Sequence, residues 1–176
     1  MPSPIENYIP QVAAGKYRQQ TFAVWSVLFL AALVWVLLII SAPLARANGF
    51  SEFANSVYTF FSYLCHQLPA RSFHFGEHAF AVCSRCFGFY AGLFLGFGFY
   101  PLFRSLNETN PLPRIWLFLA MIPMGADWSL MFFGVWENTH LSRAVTGAIL
   151  GAACAVFIVP ALLEIIFLRR RKARKN

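Results

Sequence analysis

Four long runs of apolar residues constrain the fold of this chain more than any other feature. The runs cover residues 22–45, 87–103, 115–136 and 144–168. Each is about as long as an α-helix that crosses a hydrocarbon core of about 30 Å, and the first contains no charged residue. Charged residues make up only 12% of the sequence, against about a quarter in soluble domains. We therefore expect an all-α integral membrane protein, a four-helix bundle in a single domain covering residues 1–176.

The segments beside these spans are shorter or more polar. The second span is extended back to residues 83–103, because the long Arg85 side chain can reach the membrane interface. Residues 50–64 are apolar but too short to cross, and they predict an interfacial helix that leads into a Cys/His loop, together residues 50–86. We expect the first span to be retained, because it is longer than the apolar core of a signal peptide.

The basic residues predict the orientation in the membrane. They gather in the C-terminal tail 169–176, at Lys16 and Arg18, and at Arg104 and Arg114 between the second and third spans. With four spans these regions share one side, which the positive-inside rule assigns to the cytoplasm. We expect a protein of the cytoplasmic (inner) membrane with both termini cytoplasmic. A basic tail in this position favours anionic membrane lipids as partners, and no nucleic acid is expected.

The opposite side receives most of the soft metal ligands. Three of the four cysteines and three of the four histidines lie between the first and second spans: Cys65, His66, His74, His78, Cys83 and Cys86. Cys83 and Cys86 form a CxxC pair, whose side chains share a face if the helix has begun. Cys65 would be a third ligand and His66 the fourth, with His74 or His78 as alternatives. Three cysteines and one histidine form an ordinary zinc shell.

Two other uses of these cysteines stay open. A CxxC at the outer mouth of the second of four helices resembles the arrangement in disulfide-forming quinone reductases, which implies thiol oxidation with a quinone as cofactor. Those enzymes have a second cysteine pair on an outer loop, whereas here only Cys65 is available. The cysteines could also form an inert disulfide or remain buried thiols, since spacing alone does not assign their role.

Polar residues near the third and fourth spans add candidate chemistry. Asp127 lies within an apolar run, where an acid is costly and is usually paired or functional. Arg143 opens the fourth span, and we expect it to pair with Asp127, with Arg71 and Arg85 as competitors. The candidate catalytic residues are Arg85, Asp127 and Arg143. The residues expected to support the metal ligands or contact a substrate are Gln67, Arg71, Ser72 and Asn138.

Glycines at four-residue spacing predict how the helices pack. They occur in the second span and again in the fourth, at Gly88, Gly92 and Gly96 and at Gly147 and Gly151. Small residues at this spacing let helix backbones approach closely. Packing of these two spans would bring the CxxC pair beside Asp127 and Arg143. If the glycine faces pack between chains instead, they favour a homo-oligomer or a subunit of a larger membrane complex.

A series of short motifs resembles a known family. The series comprises Cys65-His66-Gln67, Arg71-Ser72-Phe73, Val82-Cys83-Ser84-Arg85-Cys86 with Gly88 and Tyr90, then Asp127, Asn138, Arg143, Thr146-Gly147 and Gly151. It resembles a family of small prokaryotic polytopic membrane proteins of unknown function, over roughly residues 58–151. The family tends to have a glycine after the aspartate, where this chain has Trp128. The resemblance implies a membrane location and no particular activity. A metal-binding membrane protein, a thiol or quinone oxidoreductase and an assembly subunit therefore remain three classes of function.

Overall fold

Five α-helices and one short hairpin make up the computed structural model, which describes residues 11–106 and 112–173. The side chains are described for residues 19–106 and 112–166. The helices are α1 (Gln11–Ala47), α2 (Ser51–Ser62), α3 (Ser84–Phe103), α4 (Ile115–Phe132) and α5 (His140–Ala173). Between α2 and α3 lie a 3₁₀ turn (Pro69–Arg71) and the antiparallel strands β1 (His74–Phe75) and β2 (His78–Ala79).

Four of these helices are long and apolar enough to cross a membrane. The apolar segments are Gln19–Ala47, Ser84–Phe103, Ile115–Phe132 and His140–Ile166. Large apolar side chains such as Val27, Leu30 and Phe118 are more than half exposed on them, as lipid-facing residues are. The prediction of an all-α membrane bundle with four spans is confirmed. Helix α2 is only 12 residues long and buries one face through Ala54, Val57 and Phe61.

The helix ends differ from the apolar runs for local reasons. Helix α4 ends at Phe132 rather than at residue 136, because Gly134 adopts a φ of 68° and its N–H bonds back to the Met131 carbonyl. Helix α5 begins at His140, about one turn before the apolar run. The Thr139 hydroxyl accepts the Ser142 N–H at 3.0 Å, in the manner of an N-cap. Arg143 therefore lies one turn inside α5 and does not open it.

Helices α3 and α5 pack backbone against backbone. A β-carbon added at any of four glycines would collide with a carbonyl oxygen of the other helix: Gly88 with Ala144, Gly92 with Ala148, Gly147 with Arg85, and Gly151 with Phe89. At Gly96 the added atom would come within 2.6 Å of the Ala155 side chain. The glycine faces are thus used within one chain, and they hold the first turns of α3 and α5 side by side.

A small core closes the same end of the bundle. It joins α1 to α2 and to the segment before α3 through Ile39, Ala42, Val57, Phe61, Cys65, Ala81 and Val82. Further along, α1 is tied to α3 by the Trp25 indole N–H, which donates to the Phe97 carbonyl at 2.7 Å. The loop between α2 and α3 is therefore folded onto the helices, and its two ends meet at Cys65 and Cys83.

Candidate metal centre and adjoining arginine cluster

Three cysteines meet where the loop enters α3. The sulfur atoms of Cys65, Cys83 and Cys86 all lie within 4.8 Å of one another. Cys65 is buried, and the other two are partly exposed. All three are free thiols, and the Cys83 backbone N–H donates to the Cys65 sulfur at 3.3 Å. We refer to these residues as the cysteine triad.

The end of α2 and the start of α3 position the three cysteines. Cys65 comes just after α2, and its N–H continues the helical pattern by donating to the Phe61 carbonyl at 2.9 Å. Cys83 is the N-cap residue of α3 with an extended backbone, and Cys86 lies in the first turn. Residues three apart at the start of a helix lie on the same face, so both sulfurs point towards Cys65.

Gln67 holds the two halves of the triad together. Its side-chain amide donates to the Tyr58 carbonyl of α2 and to the Ala81 carbonyl before α3, each at 2.7 Å. Its backbone has a φ of 47°, a conformation that is unfavourable for a residue other than glycine. The Tyr58 hydroxyl adds a second tie by donating to the Ala79 carbonyl. We refer to Gln67 with these two amide hydrogen bonds as the clamp. The hydrogen bonds offset the backbone strain at Gln67.

The triad also favours negative charge on its buried member. Hydrogen bonds from the Cys83 and Cys86 thiols lower the pKa of Cys65 far below its ordinary value, against a smaller raising effect of burial. The Cys83 backbone N–H acts in the same direction as the thiols. Thiolate is the form in which cysteine binds metal and attacks disulfides.

The histidines of the loop stand apart from the triad. His66 and His74 are exposed and His78 is half-buried on β2. Among the described residues, the group of close metal-ligating atoms contains the three sulfurs and no histidine. The structure thus brings together three of the four predicted ligands, and the fourth ligand stays a prediction.

The acid of the third span has a different partner from the one expected. The Asp127 carboxylate is buried in α4 and accepts the Arg85 guanidinium at 2.6 Å. The Asn138 amide donates to the same carboxylate oxygen at 2.6 Å and to the Asp127 backbone carbonyl at 2.8 Å. The expected pair of Asp127 with Arg143 is wrong, because Arg143 starts one turn inside α5 and reaches Met131 instead.

Arg143 has weak partners for a guanidinium. Its described hydrogen bond goes to the Met131 sulfur at 3.5 Å, and thioether sulfur is a poor acceptor. It interacts electrostatically with Arg71 and Arg85, which repel it, and with Asp127, which attracts it. We refer to Arg71, Arg85 and Arg143 as the arginine cluster. It adjoins the cysteine triad, because Arg85 lies between Cys83 and Cys86 in the sequence.

Two further polar residues have structural partners. The Ser72 hydroxyl is fully buried and donates to the Leu68 carbonyl at 3.0 Å, so it fastens the 3₁₀ turn. The Ser84 hydroxyl and the His140 Nδ1 atom lie 2.9 Å apart, joining the first turns of α3 and α5. Sequence reasoning did not foresee the Ser84–His140 pair. The only signal for it was the place of Ser84 inside the CxxC motif.

The fold and the site define a class: a small polytopic helical membrane protein with a thiol triad and an arginine cluster at one end of its bundle. Residues 65–157 match the family described as "Predicted membrane protein (DUF2085)". The match begins at Cys65 and covers more than half of the chain, so the chain belongs to this family. The match confirms the resemblance seen in the motifs.

The relatives extend the likeness beyond the matched region. An uncharacterized protein of Methanocaldococcus jannaschii is 36% identical over 141 residues, which cover 77% of this chain and 90% of that protein. An uncharacterized protein of Methanothermobacter thermautotrophicus is 36% identical over 96 residues, covering 54% of this chain and 85% of that protein. No solved structure matches the chain.

Proposed function

We propose that this protein is a metal-binding protein of the cytoplasmic membrane, with a zinc ion held by the cysteine triad on the extracytoplasmic side. The observation that supports the proposal is the approach of three sulfurs to within 4.8 Å of one another from two separate segments of the chain. In a tetrahedral zinc site with bonds of about 2.3 Å, the ligand sulfurs lie about 3.8 Å apart. The upper limit of 4.8 Å on the sulfur separations is compatible with that spacing.

The chemistry of the donors favours zinc. Thiolates select soft or borderline metals, and the neighbouring thiols lower the pKa of Cys65, which favours its thiolate. The fourth position decides how zinc would be used. His66 as a ligand would close the shell and make the site structural, whereas a water or substrate would leave it open, as in catalytic sites. Gln67 would support either form, because it fixes Cys65 relative to Cys83.

Metal content of the detergent-purified protein tests this proposal. We expect about one zinc per chain, lost in Cys65→Ser, Cys83→Ser and Cys86→Ser. Cys154→Ser is the matched control, because Cys154 lies within α5 and outside the triad. His66→Ala distinguishes the two forms, since loss of zinc would mean a closed shell. A metal-free native protein, or unchanged metal in Cys83→Ser, would contradict the proposal.

Thiol oxidation is the second candidate function. The three sulfurs are close enough for a small movement to join any two, and Cys83 caps α3, where the helix dipole favours thiolate. Two thiols would lose two electrons and two protons to a membrane quinone, giving a disulfide and a quinol. This reading predicts a metal-free protein in which an added quinone re-forms one disulfide after reduction. Cys154 offers no second pair on a loop, since it lies in α5.

The other classes have less support. The glycine faces pack within one chain, so they no longer favour an oligomer or an assembly subunit. The inner membrane and cytoplasmic termini are proposed from the basic residues of the sequence. A membrane-impermeant thiol reagent added to intact cells should reach Cys83 after metal removal. Labelling of Cys83 only after lysis would indicate the opposite orientation in the membrane.

A further inference from the structure

The arginine cluster carries more positive charge than its surroundings neutralise. Arg71 and Arg85 both repel Arg143 at the end of the bundle, and Asp127 is the carboxylate that attracts it. Asp127 is already committed to Arg85 and Asn138. Among these described residues, three cations against one carboxylate leave a charge of +2. A zinc ion with three thiolates would add −1 and still leave +1.

Two arginines of the cluster also have hydrogen-bond donors with a weak acceptor or none among the described residues. The Arg85 Nε atom is buried and has no hydrogen-bond partner among the described residues. Arg143 is half-buried, and among the described residues its hydrogen-bond acceptor is a thioether at 3.5 Å. A buried donor left without an acceptor costs about 1–3 kcal/mol, and more when it is charged. Arg85 is among the groups that act electrostatically on Arg143, so both belong to one cluster that an anion with several oxygen atoms would serve.

We infer that the arginine cluster binds a phosphate group at the membrane surface. Phosphate matches the excess charge, and its tetrahedral oxygens accept from several guanidinium groups at once, often in pairs. Arg143 and Arg71 would hold the anion, and Arg85 would contribute its positive charge while keeping its bond to Asp127. The phosphate could belong to a lipid headgroup or to a soluble compound, since the cluster lies where the spans leave the membrane. The inference does not depend on the metal, because it rests on the arginines alone.

Binding of two probes by chelator-treated protein in a neutral detergent tests the inference. The first probe is inorganic phosphate, followed by equilibrium dialysis of the radiolabelled ion. The second is dioctanoyl phosphatidate, followed by native mass spectrometry with dioctanoyl phosphatidylcholine as its control. The variants are Arg143→Gln and Arg71→Gln; Arg71 is exposed, so its replacement leaves the fold intact. Arg114→Gln is the matched control, because it removes the same charge at the opposite end of α4.

We expect at least one probe to bind, with affinity about tenfold lower in Arg143→Gln, lower also in Arg71→Gln, and unchanged in Arg114→Gln. Binding of inorganic phosphate identifies a soluble phosphate compound as the source. Binding of phosphatidate alone identifies a lipid headgroup. The inference is overturned if neither probe binds or if all three variants weaken binding alike. It is also overturned if only the metal-loaded protein binds phosphate and does so regardless of the arginines.

Discussion

Replacing Asp127 with asparagine isolates the charge of the buried ion pair. The change keeps the shape of the side chain and one acceptor oxygen, but it leaves Arg85 without its counter-charge 2.6 Å away. Removing one partner of a buried pair costs about 3–5 kcal/mol. The Arg85 side chain is 23% exposed, so water screens part of the loss, and we expect about 2–3 kcal/mol.

Thermal unfolding in detergent, followed by the helical circular dichroism signal, measures this loss. At about 2–4 °C per kcal/mol for a chain of this size, the Asp127→Asn melting temperature should fall by roughly 4–12 °C. Glu164→Gln is the matched control. It makes the same carboxylate-to-amide change on an exposed position of α5 and should shift stability by no more than about 0.5 kcal/mol.

The double variant Asp127→Asn with Arg85→Gln tests the cause. If the loss comes from an uncompensated buried cation, removing that cation should recover part of it, with a coupling of about 1 kcal/mol or more. Purely additive losses would refute the ion-pair reasoning. A melting temperature of Asp127→Asn equal to that of Glu164→Gln would refute it as well.

Three further changes test the packing, the clamp and the metal. Gly88→Ala should destabilise the bundle by about 1–3 kcal/mol, because the added carbon meets a carbonyl of α5. Gly125→Ala has nothing within 4 Å of the added carbon and should be neutral or slightly stabilising in the same melting assay. Gln67→Ala removes two hydrogen bonds and keeps the backbone strain, so it should cost about 2 kcal/mol, and Gln67→Gly should cost less if strain is significant. If zinc joins the halves of the triad, chelation should lower the melting temperature of the native protein and leave that of Cys83→Ser unchanged.

The sequence predicts the helices well because a membrane span is a property of composition. Twenty apolar residues have few alternatives to a helix in lipid, where every backbone polar group needs an internal partner. The helix ends are local events that composition does not record. The αL conformation of Gly134 ends α4 inside an apolar run, and the Thr139 cap starts α5 among polar residues.

The candidate site was predictable to the extent that local spacing determines it. The CxxC pair lies on one face at the start of a helix whatever else the chain does, and Cys65 was the natural third thiol. The partner of Asp127 was not predictable in this way, because it depends on the axial register of α3 and α5 against α4. Helix α5 starts at His140, so Arg143 lies one turn inside it, and Asp127 is paired with Arg85.

Arg85 belongs both to the segment that carries the CxxC pair of the cysteine triad and to the arginine cluster. Its backbone belongs to the CxxC turn, between the sulfurs of Cys83 and Cys86, while its side chain is fixed to Asp127 on α4. The backbone carbonyl of the same residue would collide with a β-carbon at Gly147, so α5 also packs directly on this turn. We therefore expect a change in the charge around Arg85 to alter the spacing of the two proposed metal ligands, Cys83 and Cys86. By the reciprocity of linked equilibria, a metal on the triad and an anion on the arginine cluster should each alter the affinity of the other.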